Sequence, residues 1–405
     1  MRILFFSYAY PNSLHPGLGT FNRTMVAGLA REHAVHVVSP VPFLEQWKHC
    51  GRWDARFAAV PGVAAEYPTY YYTPRVFREH YGRFLQWSVE RTLRNALQHF
   101  QPDAVLSYWA HPDGEVAVRT AHRHGLPAVV MVGGSDVLLL AREGRRRRAI
   151  LHVLHEADAV IAVSEDIADT LRNDGIADRK IHVVGRGIDR TVFSPGDRSI
   201  ARRELGLPPD RPVLIGVGRL VPVKAWPDWL AACRELVAQG LQPACYVLGS
   251  GPQQSELQRL ICRWGLEGVV ELRGPQPQGR LAQWYRAADL TVLTSLSEGV
   301  PNVLLETLAC GGAFVATNVG GIPEIADPLH DRLVPPGQPS LLAGAIADRL
   351  AHPPPTGLPR RWEPASLASA TRKLVRVLES TLHAAATVRF GRSQEAEPAV
   401  VTATH

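Results

Sequence analysis

Two glutamates stand eight positions apart in the stretch SEGVPNVLLETLACGG, residues 297–312. Glu298 sits beside a Gly and shortly before a Pro, while Glu306 lies in an apolar run that ends in Gly311-Gly312. The pattern puts Glu298 in a turn. Pro301 or Asn302 then opens a helix that the two glycines close, so Glu306 falls about one turn in. The exposed N–H groups of such a helix start favour negative charge and can hold a phosphate or a sugar hydroxyl. Carboxylates beside an anion site make sense if the ligand carries hydroxyls as well, because a carboxylate accepts two hydrogen bonds from a vicinal diol such as a ribose. On that reading Glu306 holds a ribose and Glu298 faces the sugar end. The bland alternative is a helix-dipole role for Glu298 and a surface position for Glu306.

Cations with matching chemistry lie upstream. In GVGRLVPVK, residues 216–224, Gly218 lets the backbone turn and Arg219 and Lys224 stand five positions apart. A forked guanidinium plus a point-charge ammonium suits a diphosphate. GSGP, residues 249–252, offers Gly249 and Gly251 in a turn that opens a helix at Pro252 and can present N–H groups to an anion. Tight strand-to-helix turns use glycine in any case, so this turn alone is weak.

The elements that must position these groups alternate. In the first half RILFFSY, AVHVVSP, DAVLSYW, PAVVMV, ADAVIAVS and KIHVVG read as buried strands separated by amphipathic segments. In the second half PVLIGVG, PACYVLG, VVELRG, DLTVLT, AFVATN and DRLVPP do the same. Such alternation means parallel sheets of βαβ units. Residues 40–100 break the rhythm and are rich in aromatic and basic residues. GRGIDRTVFSPGDRS, residues 185–199, has no periodicity and reads as an interdomain linker. The expected division is an N-terminal domain over 1–188, a second over 189–360, a helix over 361–387 that crosses back, and a disordered tail over 388–405. Two doubly wound domains leave a cleft between the carboxyl ends of their strands, where such folds bind ligands.

At 405 residues the chain is long enough for two domains. It has no apolar run of about 18 residues, so no transmembrane helix is expected. MRILFFSYAYPNS has no small-residue cleavage site and reads as a first strand rather than a signal peptide. The five cysteines show no CxxC spacing, which fits a reducing compartment. The net charge of +6 is partly local, as in REGRRRR, residues 142–148. That run is either a solvated surface or a contact for anionic lipid headgroups. Zinc spacings and nucleic-acid motifs are missing, so no nucleic-acid partner is expected.

The combination of SEGVPNVLLETLACG followed by GGIPEI (residues 320–325), with GRLVPVK and GSGP upstream, resembles the GT4 family of glycosyltransferases, whose hallmark is a pair of glutamates with seven residues between them. PGLGTFNRTMVAGLA and WAHPDG…GLPAVVMVGGSD extend the similarity into the first half. The resemblance implies an α/β GT-B fold, two Rossmann-like doubly wound domains facing across a cleft, with a nucleotide-sugar donor on the second and an acceptor on the first. It implies a retaining, hexosyl-type transfer to a glycan or lipid-linked acceptor in cell-surface polysaccharide or glycolipid biosynthesis. The setting would be the cytoplasm, at the inner face of the membrane if the acceptor is presented there. Residue by residue, Arg219 and Lys224 match the diphosphate pair, Glu306 the ribose glutamate, and Glu298 the glutamate near the donor sugar. Gly299, Pro301, Asn302 and Val303 line the same site, and Gly17 and Gly19 match the glycine loop that closes over the phosphates.

Two positions depart from the family pattern. Many relatives carry a His before Gly-Ser-Asp, where this chain has Gly133, and another His four positions before Pro-Asp-Gly, where it has Tyr108. His111 is the nearest histidine, either an acceptor-side group, with a catalytic role then open to it, or a cap for the following helix. Ser135 and Asp136 are expected on the acceptor side with Tyr108. No D-x-D triplet occurs, so no metal and no separate cofactor are expected.

Rival readings predict other residues. A non-catalytic nucleotide-sugar-binding module would have lost a cation or a glutamate. A dinucleotide oxidoreductase wants G-x-G-x-x-G directly after a strand, and GLGTFN has Asn22 in the third glycine's place. An epimerase on the same fold would turn over the sugar nucleotide without an acceptor.

Overall fold

The computed structural model describes residues 1–74, 76–140, 144–353 and 359–395. Nine strands form in the first half: β1 (Arg2–Phe6), β2 (Ala34–Val38), β3 (Val41–Pro42), β4 (Ala64–Glu66), β5 (Thr69–Tyr70), β6 (Ala104–Tyr108), β7 (Ala128–Val132), β8 (Ala159–Ala162) and β9 (Ile181–Val183). Seven of them make a parallel sheet in the order β4-β2-β1-β6-β7-β8-β9, while β3 and β5 pair separately. The second half adds β10 (Val213–Val217), β11 (Ala244–Leu248), β12 (Val270–Gly274), β13 (Leu290–Leu293), β14 (Phe314–Thr317) and β15 (Arg332–Val334). These form a parallel sheet in the order β12-β11-β10-β13-β14-β15.

Every residue of β6, β7, β10 and β11 is buried, as uninterrupted apolar strands covered on both faces must be. All twelve strands expected from the alternation are present. What the alternation missed lies in residues 40–100: the edge strand β4, the small β3–β5 pair, and the 20-residue helix Tyr81–Phe100, whose Leu85, Val89, Leu93 and Ala96 pack into the core. Strand order reverses between β1 and β6 in one sheet and between β10 and β13 in the other. These switch points open crevices at the carboxyl ends of the strands.

The chain crosses between the domains twice, side by side. Ile188 bonds through its backbone to Ala365 and Leu367, at 2.9 Å each, and bridges to Ser366. The helix Leu367–Glu395 then lies on the first domain, burying Leu374, Val377 and Leu378 with Ile3, Phe5, Val26 and Leu29. Gly28 makes room for it, since a Cβ there would sit 2.4 Å from Thr371 Oγ1. The helix continues through residues 388–395, where a disordered tail was expected. Residues 396–405 lie outside the described residues, as do Arg142 and Glu143 of the basic run. The rest of that run opens the helix Gly144–Glu156, where Arg145 pairs with Glu79 at 3.0 Å and Arg147 with Asp174 at 2.6 Å.

Candidate active-site cleft

On the second domain, the loops after β10, β11 and β13 build one wall. The first two nest so closely that a Cβ on Gly249 would lie 1.9 Å from Gly218 O, and one on Gly251 2.4 Å from Leu220 O. The Gly249 N–H is already bonded to Gly274 O at 2.9 Å, and the helix that follows begins at Gln254, not Pro252. The GSGP glycines therefore serve close backbone packing, and Gly249 has no N–H left for an anion. This nesting holds the Arg219 loop, where Arg219 O accepts from Trp226 Nε1 at 2.9 Å while the side chain is exposed.

Lys224 ends a 3₁₀ turn, Pro222–Lys224, and its ammonium is bound to Glu298 Oε1. The same oxygen accepts from Ser295 Oγ at 2.6 Å. The cation expected at the diphosphate and the carboxylate expected at the sugar are thus each other's partners. Pro301 caps the helix Asn302–Ala309, and Gly311 follows it with φ 80°, as the sequence pattern requires. Val303 is half-buried against the core. Glu306 is no surface residue. Tyr285, on the helix Gln278–Ala287, donates to its Oε2 at 2.7 Å. Burial pushes its carboxyl up to about 7, opposed by that hydrogen bond.

The first domain supplies the opposite wall. Gly19, at φ 59°, caps the helix Thr20–Leu29, and a Cβ on it would lie 2.0 Å from Ala9 O; Gly17 is exposed with open space around it. Tyr8, just past the end of β1, is 37% exposed. Its N–H donates to Asp113 Oδ2 at 2.8 Å. Asp113 is fully buried, accepts also from Ser7 Oγ at 3.1 Å, and is pushed up to about 7 by desolvation. Burial, and then the Asp113 charge, raise the Tyr8 phenol, against opposing effects of Arg219 and Arg146.

Two acceptor-side expectations need correction. Asp136 is fully buried and spends its oxygens on the backbone N–H groups of Gly133 (3.1 Å), Gly134 (3.0 Å) and Ala110 (3.3 Å). Its carboxylate shapes the loop from within the fold. His111 is fully buried too, 3.4 Å from Glu115 Oε2 in a π-helical turn, and does not reach the cleft surface. Ser135 begins the short helix Ser135–Leu138 at the loop and is half-buried.

The two departures at Tyr108 and Gly133 turn out to be one feature. A Cβ on Gly133 would lie 1.8 Å from the Tyr108 hydroxyl. The phenol of Tyr108 occupies the space that a side chain at 133 would fill. That hydroxyl accepts from Arg186 Nη2 at 2.9 Å, and Arg186 Nη1 reaches Asn302 Oδ1 at 3.0 Å in the other domain. The guanidinium also lies 4.3 Å over the Phe21 ring. Arg186 belongs to the segment read as linker and carries no motif. Only its partners, 78 and 116 positions away, reveal it.

The domains meet through backbone. A Cβ on Gly134, which has φ 120°, would lie 2.8 Å from Gly299 N, and one on Gly299 would lie 2.6 Å from Gly133 O. Glu324 of GGIPEI accepts from the N–H groups of Glu165 (3.0 Å) and Asp166 (2.8 Å), capping the helix Glu165–Asn173 across the interface. Beside these contacts lies a cavity of about 240 Å³ lined by Thr20, Phe21, Arg23, Arg186, Asn302 and Glu306 among others.

Comparison with known proteins agrees with this architecture. Residues 16–192 match the model for Glycosyltransferase Family 4, and residues 197–366 match Glycosyl transferases group 1. The chain belongs to the GT4 glycosyltransferases. It is 37% identical over 212 residues to D-inositol 3-phosphate glycosyltransferase 2 of Catenulispora acidiphila, covering 50% of each chain. It is 27% identical over 356 residues to TuaC of Bacillus subtilis, provisionally named a teichuronic acid biosynthesis glycosyltransferase, covering 85% of this chain and 88% of that one. The chain spans about half the length of the first of these. Among solved structures it resembles sucrose-phosphate synthase from Thermosynechococcus elongatus (TM-score 0.72, 19% identity, 98% and 99% covered). It also resembles Anabaena Alr3699/HepE in complex with UDP-glucose (TM-score 0.67, 19% identity, 96% and 100% covered). The fold is GT-B.

Proposed function

We propose that the GT4 chain transfers a sugar, with retention, from a nucleoside-diphosphate sugar on its second domain to a glycan or lipid-linked acceptor on its first, without a metal. The observation that carries this is the linked pair Lys224–Glu298 on the loops that follow the strands, with Arg219 on the same loop as Lys224, and Glu306 on the next helix lining the interdomain cavity. Lys224 and Arg219 neutralise the diphosphate, Glu306 holds the ribose, and Glu298 accepts from a sugar hydroxyl. The bond from the anomeric carbon to the leaving phosphate oxygen breaks as the acceptor oxygen bonds to that carbon on the same face. The departing phosphate oxygen takes the acceptor's proton. The protein's share is positioning and charge stabilisation. Relatives named for D-inositol 3-phosphate and for teichuronic acid biosynthesis, and a like-folded chain with UDP-glucose, support a nucleotide-sugar donor and a role in cell-surface polysaccharide or glycolipid synthesis.

A cytoplasmic site at the inner membrane face is part of the proposal. Among the described residues no helix is long and apolar enough to cross a membrane. The first domain exposes Trp47, Tyr71, Phe77 and Trp87, and aromatics mixed with arginines suit a headgroup interface.

A thermal-shift screen with UDP, GDP and ADP tests the donor reading, since a bound nucleotide raises stability by RT ln(1 + [L]/Kd). Sugar release from the matching donor is then followed in magnesium and in excess EDTA, with equal rates expected. No shift with any nucleotide overturns the donor reading. Activity lost in EDTA and restored by magnesium or manganese overturns metal independence.

A further inference from the structure

The cavity between the domains is lined by three guanidinium groups, Arg23, Arg31 and Arg186, against two carboxylates. Among the described residues Arg186 donates to two neutral oxygens, Asn302 Oδ1 and the Tyr108 hydroxyl. Arg23, on the helix Thr20–Leu29 of the first domain, bonds to the neutral Gln278 Oε1 of the second. Among the described residues, the hydrogen-bond partners of both guanidinium groups are neutral oxygens. Two carboxylates line the cavity with them, Glu306 and Asp189. Asp189 is engaged by Thr191 N at 2.9 Å and Thr191 Oγ1 at 2.6 Å, and Glu306 by Tyr285. Those hydrogen bonds do not cancel the two negative charges, but neither carboxylate is paired with Arg186 or Arg23, so two half-buried guanidinium groups keep neutral partners in a site partly closed to water, where an anion is favoured.

We propose that Arg186 and Arg23 form a second cationic clamp on the donor, gripping its diphosphate from the hinge side, opposite Arg219 and Lys224. This rests on the nucleotide-sugar reading above. The Arg186 fork already touches Asn302, the first residue of the helix that carries Glu306, so a nucleotide with its ribose at Glu306 brings its phosphates to the guanidinium. Arg186 then links donor binding to domain closure, because its two arms hold Tyr108 of one domain and Asn302 of the other. A planar fork suits phosphate oxygens in a way that lysine does not reproduce in full.

Isothermal titration with UDP, and with GDP and ADP in parallel arms, compares wild type with Arg186→Gln, Arg23→Gln, Arg186→Lys and the surface control Arg148→Gln. Uridine, or the matching nucleoside, supplies the phosphate-free arm. Arg186→Gln is expected to weaken the nucleoside diphosphate about ten-fold or more, as for loss of a charge-assisted contact. Nucleoside affinity should stay within about two-fold. Arg186→Lys recovers part of the loss, Arg23→Gln weakens the diphosphate in the same selective way, and Arg148→Gln changes nothing. Equal weakening of nucleoside and diphosphate, or unchanged diphosphate affinity in Arg186→Gln, overturns the clamp. If Arg186→Gln does not fold, Arg23→Gln decides by the same criterion. Wild type binding none of the three nucleotides would instead remove the donor reading itself.

Discussion

Lys224 Nζ and Glu298 Oε1 are bound to each other across two loops of the second domain, with Ser295 Oγ on the same carboxylate oxygen. The pair is largely buried, with 15% and 13% of the side chains exposed. On the proposed reading, a donor entering the cleft replaces this contact with two others, diphosphate on the ammonium and sugar hydroxyl on the carboxylate. The two glutamates therefore differ in what their loss exposes.

Glu306→Ala removes a charge-assisted contact to the ribose worth roughly 1.5–3 kcal/mol, so nucleoside-diphosphate affinity falls by about one to two decades. Glu298→Ala leaves that affinity nearly intact, because its ligand partner is on the sugar, and lowers turnover instead. Titration with the free nucleoside diphosphate beside steady-state rates separates them. Equal weakening by both substitutions would mean that both glutamates form one ribose clamp.

Nucleotide affinity should rise between about pH 6 and pH 8. Burial holds the Glu306 carboxyl up to about 7, and the ionised form accepts from a diol more strongly. Tyr285→Phe deletes the hydrogen bond that favours ionisation, so the inflection moves to higher pH. Glu306→Gln shows only the ligand's own ionisation and serves as the reference. For stability the sign is opposite: a carboxyl raised in the folded state contributes fully below its unfolded value, and that contribution is lost as pH rises through about 7. Asp113 shares this window, so affinity rather than stability isolates Glu306. An inflection that moves down in Tyr285→Phe would show that the tyrosine does not stabilise the carboxylate.

Gly133→Ala should cost about 1–3 kcal/mol, because its Cβ meets the Tyr108 hydroxyl in a packed interface. Tyr108→Phe removes the clashing oxygen but also the acceptor for Arg186. Chemical denaturation of both single variants and the double should give a double less destabilised than the sum. Strict additivity would mean that the two positions do not share this space.

Flotation with anionic vesicles at low salt tests the membrane face. Wild type should rise with the vesicles, and the double variant Trp47→Ala, Trp87→Ala should rise less, since these rings are 76% and 74% exposed. Wild type that stays at the bottom removes the membrane contact from the proposal.

The sequence by itself determined the two parallel sheets, since runs such as AVVMV and VLIGV are too continuously apolar for anything but a strand covered on both faces. It also determined the helix Asn302–Ala309, because a Pro before and a Gly after a short apolar run leave little freedom. Local pattern could not show Arg186, Tyr285 or the Tyr108–Gly133 exchange. Each matters through partners between 21 and 116 positions away, and nothing in an isolated window marks them. The same limit misplaced Asp136 and His111: polar residues next to a glycine-rich loop look exposed in sequence, and only folding showed that backbone N–H groups surround one carboxylate and that the packed π-helical turn encloses the imidazole. Hydrophobic periodicity is a property of one segment, whereas a cleft is made by the ends of many, so the elements were legible and their meeting was decided by tertiary packing.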